Sequence, residues 1–558
     1  MSHAASWRRR WRAGLALVIA GASLVAAQTQ PRASAGRAAR KPPERADVAK
    51  FRARVEKILA GEAAPAPPPQ TRVSVTASTA GSADARENRS ATTPAKGHWG
   101  VLVVDAATGE VLYERNADSY FTPASNTKLY TTAFGLAKLG PDYRYRTTVE
   151  SRFLPDTHGR LVGDLVLMGR GDPNLSNRRF PYLDKEERDG APEKVLAALA
   201  DQLVARGIKQ IEGNIVGDDS YFSSERYPTG WAIDDMTEGY GAPVSALAVN
   251  DNMLFIEVRP GGHEGEPAWF GVEPWAEFYT VKNEVRTVPA SERPGRVDIE
   301  REPGSRVVRL SGTAPLGVPP LTQTLAVEEP AEHAAALLKR LLEARGVRVY
   351  GRAVADHNPM KTMEARNVLA EHTSLPLAES VKLINKVSQN LHTEMLLRTA
   401  ARESAGAHTL SDALRAAQEF HDAIGIASGD AVLFDGSGLS RRNLITPRAT
   451  VTLLRWAAQQ PWAAVYTDSM PIAGQDGTLT ERMKGSPAAL RIRAKTGTLG
   501  NVNALSGYAE TAHGTKLVFS IFGNHHNLRR GTRVLDEICI AMVEELGAKP
   551  APRAKKRR

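Results

Sequence analysis

One cysteine in 558 residues leaves no partner for an intrachain disulfide, so the chain is not a disulfide-held scaffold. Cys539 sits in "LDEICIAMVEEL", where apolar residues recur at helical spacing, and reads as a packed core side chain. Metal-ligand patterns are missing as well. No Cys/His group has the required spacing, and the adjacent His525 and His526 follow a strand-like run at a turn and read as structural. No metal or cofactor is expected. Long apolar runs are also absent. The 14 residues from Ala13 to Ala26 are too short to span a bilayer comfortably. They follow Arg8, Arg9, Arg10 and Arg12 and lead into small residues, so 1–27 is expected to be a signal peptide cut after Ala27, with a retained anchor as the alternative. An exported protein of the periplasm or cell envelope is implied. Basic character is lacking where a nucleic-acid-binding core would need it. Of the net charge of +10, residues 1–27 carry +4, 28–96 carry +7 and 549–558 carry +6, which leaves 97–548 at −7. No nucleic-acid partner is expected. The basic tail 549–558 is either solvated or in weak contact with an anionic envelope.

What is present is enough for several cores. A chain of 558 residues exceeds one hydrophobic core, and 42% hydrophobic with 24% charged residues excludes disorder throughout. Residues 28–96, with "APAPPPQ" and long Ala/Ser/Thr stretches, read as a flexible linker in which a short helix at Asp47–Ala60 is possible. Order begins near His98 with two strands around an Ala-Thr-Gly turn. The stretch from about 150 to 357 is rich in strands and turns and reads as an insertion. After Leu375 come helices, then three strands ("LRIRAKTGTLG", "VNALSGYAET", "TKLVFSIFGN") and a closing helix.

Three short motifs carry chemistry. "TPASNTKLYTTA" places Ser125 three residues before Lys128 at a helix start. Alone, this serine could be a helix cap beside a solvated lysine. Ser388-Gln389-Asn390 lies in a helical region, and Lys495-Thr496-Gly497-Thr498 lies on a strand. Ser-x-x-Lys, Ser-x-Asn and Lys-Thr-Gly in this order form a serine acyl-enzyme signature. A serine hydroxyl needs a base to become a nucleophile, and a lysine one helical turn away can reach it. Desolvation and a nearby cation lower a lysine's pKa towards that role. A helix N-terminus favours a developing oxyanion, and the strand motif offers a cation and hydroxyls to a carboxylate.

With these motifs, residues 97–548 resemble the penicillin-binding-protein-4 (DacB-like, peptidase S13) group of serine D-alanyl-D-alanine carboxypeptidases. "DGSGLSRRN", "GRGDPNLS" and "GWAIDDMTEGYGAPVSALAVNDN" are similar to stretches of that group, as is the long gap between the first two motifs. The resemblance implies a mixed α/β (α+β) β-lactamase/transpeptidase-like domain from 97–150 and 358–548, with a five-stranded antiparallel sheet flanked by helices. It implies two smaller, mostly β insertions, at 151–170 with 250–357 and at 171–249. It implies Ser125 as nucleophile, Lys128 as its base, Ser388 as proton relay near Lys495, and Asn390 as orienter of substrate amide and Lys128. Thr496, Gly497 and Thr498 would hold the terminal carboxylate, with Ser125 and Thr498 backbone N–H groups as oxyanion hole. Ser437, Gly438 and Leu439 would line the substrate site. Asp235 (or its neighbour Asp234) and Arg441 would read the diamino-acid end. The implied partners are peptidoglycan stem peptides and their cross-links, with β-lactams as covalent inhibitors. A serine β-lactamase and a catalytically retired peptidoglycan-binding scaffold are the rival readings.

Overall fold

Two strands near the start of the ordered chain pair with three from its end. The structure, a computed structural model, describes residues 44–61, 96–176, 178, 190–359, 365–526 and 528–547. The expected signal peptide, most of the expected linker and the basic tail lie outside the described residues. Strands β1 (His98–Asp105) and β2 (Val111–Arg115) form a hairpin whose turn is fixed by Asp105, which accepts the N–H groups of Ala107 and Thr108. They join β3 (Ile492–Leu499), β4 (Val502–Glu510) and β5 (Lys516–Asn524) in the order β2-β1-β5-β4-β3, antiparallel throughout. The strand bearing the Lys-Thr-Gly motif is therefore an edge.

Alternation along the strands buries both faces. Val101, Val103, Leu505, Phe519 and Ile521 turn towards helices α1 (Ala46–Ala60) and α6 (Leu528–Glu545). Leu102, Val104, Ala504, Val518 and Phe522 turn towards α2 (Thr127–Leu139) and α5 (Pro447–Ala457). Helix α1 covers Asp47–Ala60, where the sequence left a short helix possible within the expected linker. Its Phe51 and Val55 are fully buried in the first of these cores. Burying such side chains contributes about 1.5–3 kcal/mol apiece. That holds in place a 15-residue helix that would be marginal alone.

The insertion begins and ends inside a second sheet. Ala353–Asp356, Ile215–Asp218, Leu165–Met168, Arg146–Ser151 and Asn367–Thr373 are neighbours in that order. The first three are parallel and the last two antiparallel. Parallel neighbours need a crossover, and the helix Lys194–Ala205 supplies it between Leu165–Met168 and Ile215–Asp218. This outer insertion is mixed α/β and runs from Arg146 to Thr373. An all-β unit from Met253 to Ala326 is nested inside it, with a three-stranded and a four-stranded sheet. The boundaries drawn from sequence cut across these pairings. The crossover joins residues that had been assigned to different insertions. Among the described residues, no helix is long and apolar enough to cross a membrane, and no group of three or more His, Cys, Asp or Glu could hold a metal ion.

Candidate active site

Ser125 sits on a single 3-10 turn, Ala124–Asn126, that leads directly into α2. In such a turn residues three apart eclipse, which brings Lys128 Nζ to 2.9 Å from Ser125 Oγ. The hydroxyl makes no capping bond, so the helix-cap reading of this serine fails. Lys128 is fully buried and also reaches Asn390 Oδ1 at 2.6 Å and the Ser437 carbonyl at 2.6 Å. These three oxygens are all uncharged. Asn126 donates to the Lys495 carbonyl at 2.9 Å and ties the turn that carries Ser125 to β3.

The Ser-x-Asn motif lies at a break between α3 (Leu377–Val387) and α4 (Asn390–Ala405), not within a helix. Ser388 takes the left-handed conformation at φ 64°, a sparsely populated one for a residue with a side chain. Lys495 Nζ donates to its hydroxyl at 2.8 Å and to the Thr496 carbonyl at 3.0 Å. Asn390 joins α4 to the insertion, because its Nδ2 donates to the Tyr240 carbonyl at 2.9 Å. On β3, Thr496 shares a hydrogen bond of 2.7 Å with Thr478, and Thr498 accepts from Asn503 at 3.2 Å. Gly497 allows the strand to lie against the turn that carries Ser125. A Cβ there would stand 2.7 Å from the Pro123 carbonyl.

The Asp435–Ser440 loop closes the site from behind. Asp435 is fully buried and receives the N–H groups of Gly438 and Ser440, the Asn443 amide and the Trp231 indole. Glu394 is fully buried too. Its Oε1 takes the N–H groups of Gly436 and Ser437, and its Oε2 takes Arg398 at 2.8 Å. Burial pushes the Glu394 carboxyl above its usual range. The loop's contribution to the site is the Ser437 carbonyl on Lys128. Leu439 packs among Phe222, Trp231 and Met395.

Asp235 is buried, with Oδ1 taking the Tyr240 hydroxyl at 2.9 Å, while Asp234 is exposed. Burial and the Asp235 carboxylate push the Tyr240 hydroxyl well above its ordinary pKa. Arg441 is exposed beside Gly500 at the β3–β4 turn, and its N–H donates to the Gly230 carbonyl. The structure thus gathers Ser125, Asn390 and Ser437 around Lys128, and sets Ser388 on Lys495, whose carbonyl takes the amide of Asn126 beside Ser125. It sets Asp235 one residue behind, through Tyr240. Sequence reasoning missed Tyr240, Thr478 and Glu394. Their partners are 150, 18 and 42 residues away, and no spacing signals them.

A serine beside a buried lysine, facing an edge strand with a second lysine, is the arrangement of a serine acyl-enzyme of the penicillin-recognising class. The D-Ala-D-Ala carboxypeptidase 3 (S13) family model matches residues 87–546, and the chain belongs to that family as a D-alanyl-D-alanine carboxypeptidase. A D-alanyl-D-alanine carboxypeptidase from an Actinomadura strain is 37% identical over 459 residues, 80% of this chain and 81% of that one. The D-alanyl-D-alanine carboxypeptidase DacB of Haemophilus influenzae is 26% identical over 78% of this chain and 87% of its own length. The crystal structure of penicillin binding protein 4 (dacB) from Haemophilus influenzae superposes with a TM-score of 0.69 at 26% identity, covering 80% of this chain and 96% of that one.

Proposed function

We propose that Ser125 forms an acyl-enzyme with the stem peptides of peptidoglycan and with β-lactams, using Lys128 as its base. The observation that carries this is the 2.9 Å contact between Lys128 Nζ and Ser125 Oγ. Lys128 in its neutral form takes the hydroxyl proton as Oγ bonds to the carbonyl carbon of the penultimate D-alanine. The oxyanion is held by the backbone N–H groups of Ser125 and Thr498. The carbonyl–nitrogen bond then breaks. Ser388, hydrogen-bonded to Lys495, passes a proton to the departing amine, and Thr496 and Thr498 hold the product's carboxylate. Water releases the acyl group and restores Ser125. Asn390 keeps Lys128 aimed at Ser125 throughout.

The same residues serve cleavage of cross-links, where the leaving amine belongs to a diamino acid. The enzyme is placed in the cell envelope or periplasm, where a leader such as 1–27 would deliver it. Penicillin binding protein 4 of Haemophilus influenzae has been solved in complex with a β-lactam. A β-lactamase reading has no support in the position of Glu394, whose two oxygens are engaged behind Lys128. The test is mass analysis of products from purified cross-linked muropeptides, with Ser125→Ala as control. Loss of a terminal D-alanine or of a cross-link with wild type, and neither with the variant, is expected. Penicillin labelling of Ser125→Ala at the wild-type level overturns the proposal.

A further inference from the structure

The insertion holds one buried carboxylate that reaches the Ser-x-Asn motif. Asn250, Asp251 and Asn252 are three consecutive left-handed residues, at φ 53°, 54° and 54°. Asn and Asp tolerate that region better than other side-chain-bearing residues, but only singly as a rule. Local bonds keep them there. Asn250 Nδ2 donates to the Met253 carbonyl at 2.6 Å, and Asn252 Nδ2 to the Pro243 carbonyl at 3.0 Å. The Asp251 side chain lies between α4 and Ser176 and Arg178 of the insertion.

Asp251 is buried, with both oxygens engaged. Oδ1 takes His392 Nε2 at 2.8 Å and Ser176 Oγ at 3.4 Å. Oδ2 takes Gln389 Nε2 at 3.1 Å and an ion pair with Arg178. A carboxylate only accepts, so His392 carries its proton on Nε2. Gln389 is the middle residue of the motif, between strained Ser388 and Asn390. Its Oε1 caps α4 by accepting the Leu391 N–H at 2.8 Å. One end of the Gln389 amide thus holds the start of the helix, and the other is held by the insertion.

We propose that Asp251 is a positioning residue for acylation. It locks Gln389 and His392 so that Ser388 stays left-handed under Lys495 and Asn390 stays on Lys128. The insertion then sets the proton-transfer geometry as well as the substrate surface. The inference rests on Ser388 and Asn390 acting as proposed above. Asp251 touches neither substrate nor reacting atoms. Its effect is therefore expected on the rate of bond formation and not on ligand affinity.

The test is rapid-mixing acylation by a fluorescent penicillin, giving the acylation rate per labelled site and the noncovalent Kd. The rate per labelled site is insensitive to any fraction of misfolded chain. Asp251→Ala should lower the rate about 10- to 100-fold, as displaced catalytic groups do, with Kd unchanged. Gln389→Glu keeps an oxygen for the Leu391 N–H but sets a second carboxylate against Asp251, and should slow acylation similarly. Joining it to Asp251→Asn exchanges amide and carboxylate and restores a hydrogen bond. The double variant should regain most of the lost rate. A wild-type rate in Asp251→Ala or in Gln389→Glu, or a double variant no faster than Gln389→Glu alone, overturns the clamp. Should Asp251→Ala not fold, the Gln389→Glu and exchange arms decide alone. Failure of penicillin to label the wild-type chain overturns the underlying acyl-enzyme reading instead.

Discussion

Gly438→Ala tests whether the Ser437 carbonyl holds the base. Gly438 has φ +85°, and a Cβ there would stand 1.9 Å from the Ala124 carbonyl oxygen, one residue before the nucleophile. A tolerable C···O contact is about 3.3 Å, so the loop must retreat by about 1.4 Å. If Ser437 retreats with it, the 2.6 Å bond from Lys128 lengthens to about 4 Å, past the hydrogen-bonding limit. An alanine in the left-handed region costs about 1–2 kcal/mol. The lost hydrogen bond adds about 1 kcal/mol. The folded chain should survive this with a lowered melting temperature. Acylation should suffer more, because Lys128 loses one of the contacts that aim it, and a shift near 1 Å costs about 100-fold in rate. The assay is time-resolved acylation by fluorescent penicillin, alongside a thermal melt. A folded Gly438→Ala chain that acylates at the wild-type rate refutes the reasoning.

Lys128→Ala should slow acylation by about 10²–10⁴-fold while leaving noncovalent penicillin binding nearly intact, as measured by the same rapid-mixing method. His357 lies between Asp219 at 2.6 Å and Glu329 at 3.3 Å. Its hydrogen bond to Asp219, then that to Glu329, raises its pKa from 6.5 to about 10. A raised folded pKa gives stability that is complete below pH 6.5 and lost as pH rises towards 10. The melting-temperature gap between wild type and His357→Gln should therefore be widest at pH 6 and close by pH 10; a constant gap contradicts the assignment. Substrates with a free zwitterionic diamino-acid end should react faster than ones blocked at the side-chain amine. Losing one charge-assisted bond there costs about 10–100-fold in kcat/KM. Asp235→Asn should shrink that preference and Asp234→Asn should not. An unchanged ratio of rates in both Asp235→Asn and Arg441→Ala removes these residues from recognition.

The three motifs were legible because each is a few residues long and carries its chemistry in its own residue types. Their juxtaposition was implied by the resemblance. The five strands were legible as strand-like runs bounded by turns, and their joining into one antiparallel sheet was implied by the resemblance. The conformation of Ser388 was not, because no local pattern distinguishes a left-handed serine between two helices from a helical one. Helix α1 was half legible. Val48, Phe51, Val55 and Ile58 mark an apolar face, but the surrounding Pro/Ala/Arg composition outweighed it. The insertion boundaries were misplaced because short strands such as Leu165–Met168 do not announce whether a neighbour is parallel. The positions of Asp251, Glu394 and Tyr240 depend on tertiary partners, and their sequence surroundings are those of ordinary turns and helices.

The pairing of β1 with β5, Val101 against Ile521, sets an order of assembly. The insertion holds all its strands between Arg146 and Thr373, so it can complete its sheets while the rest of the chain is still being made. The catalytic sheet cannot. Its first strand in sequence, β1, keeps an empty edge until more than 400 residues have followed and β5 is made, and closing so long a loop is slow. Helix α1 waits longer, since its partner α6 is the last element of the described chain. Ser125 is thus without Lys495 until β3 has been made. Chains truncated before β3 should carry a folded insertion and no acylating activity.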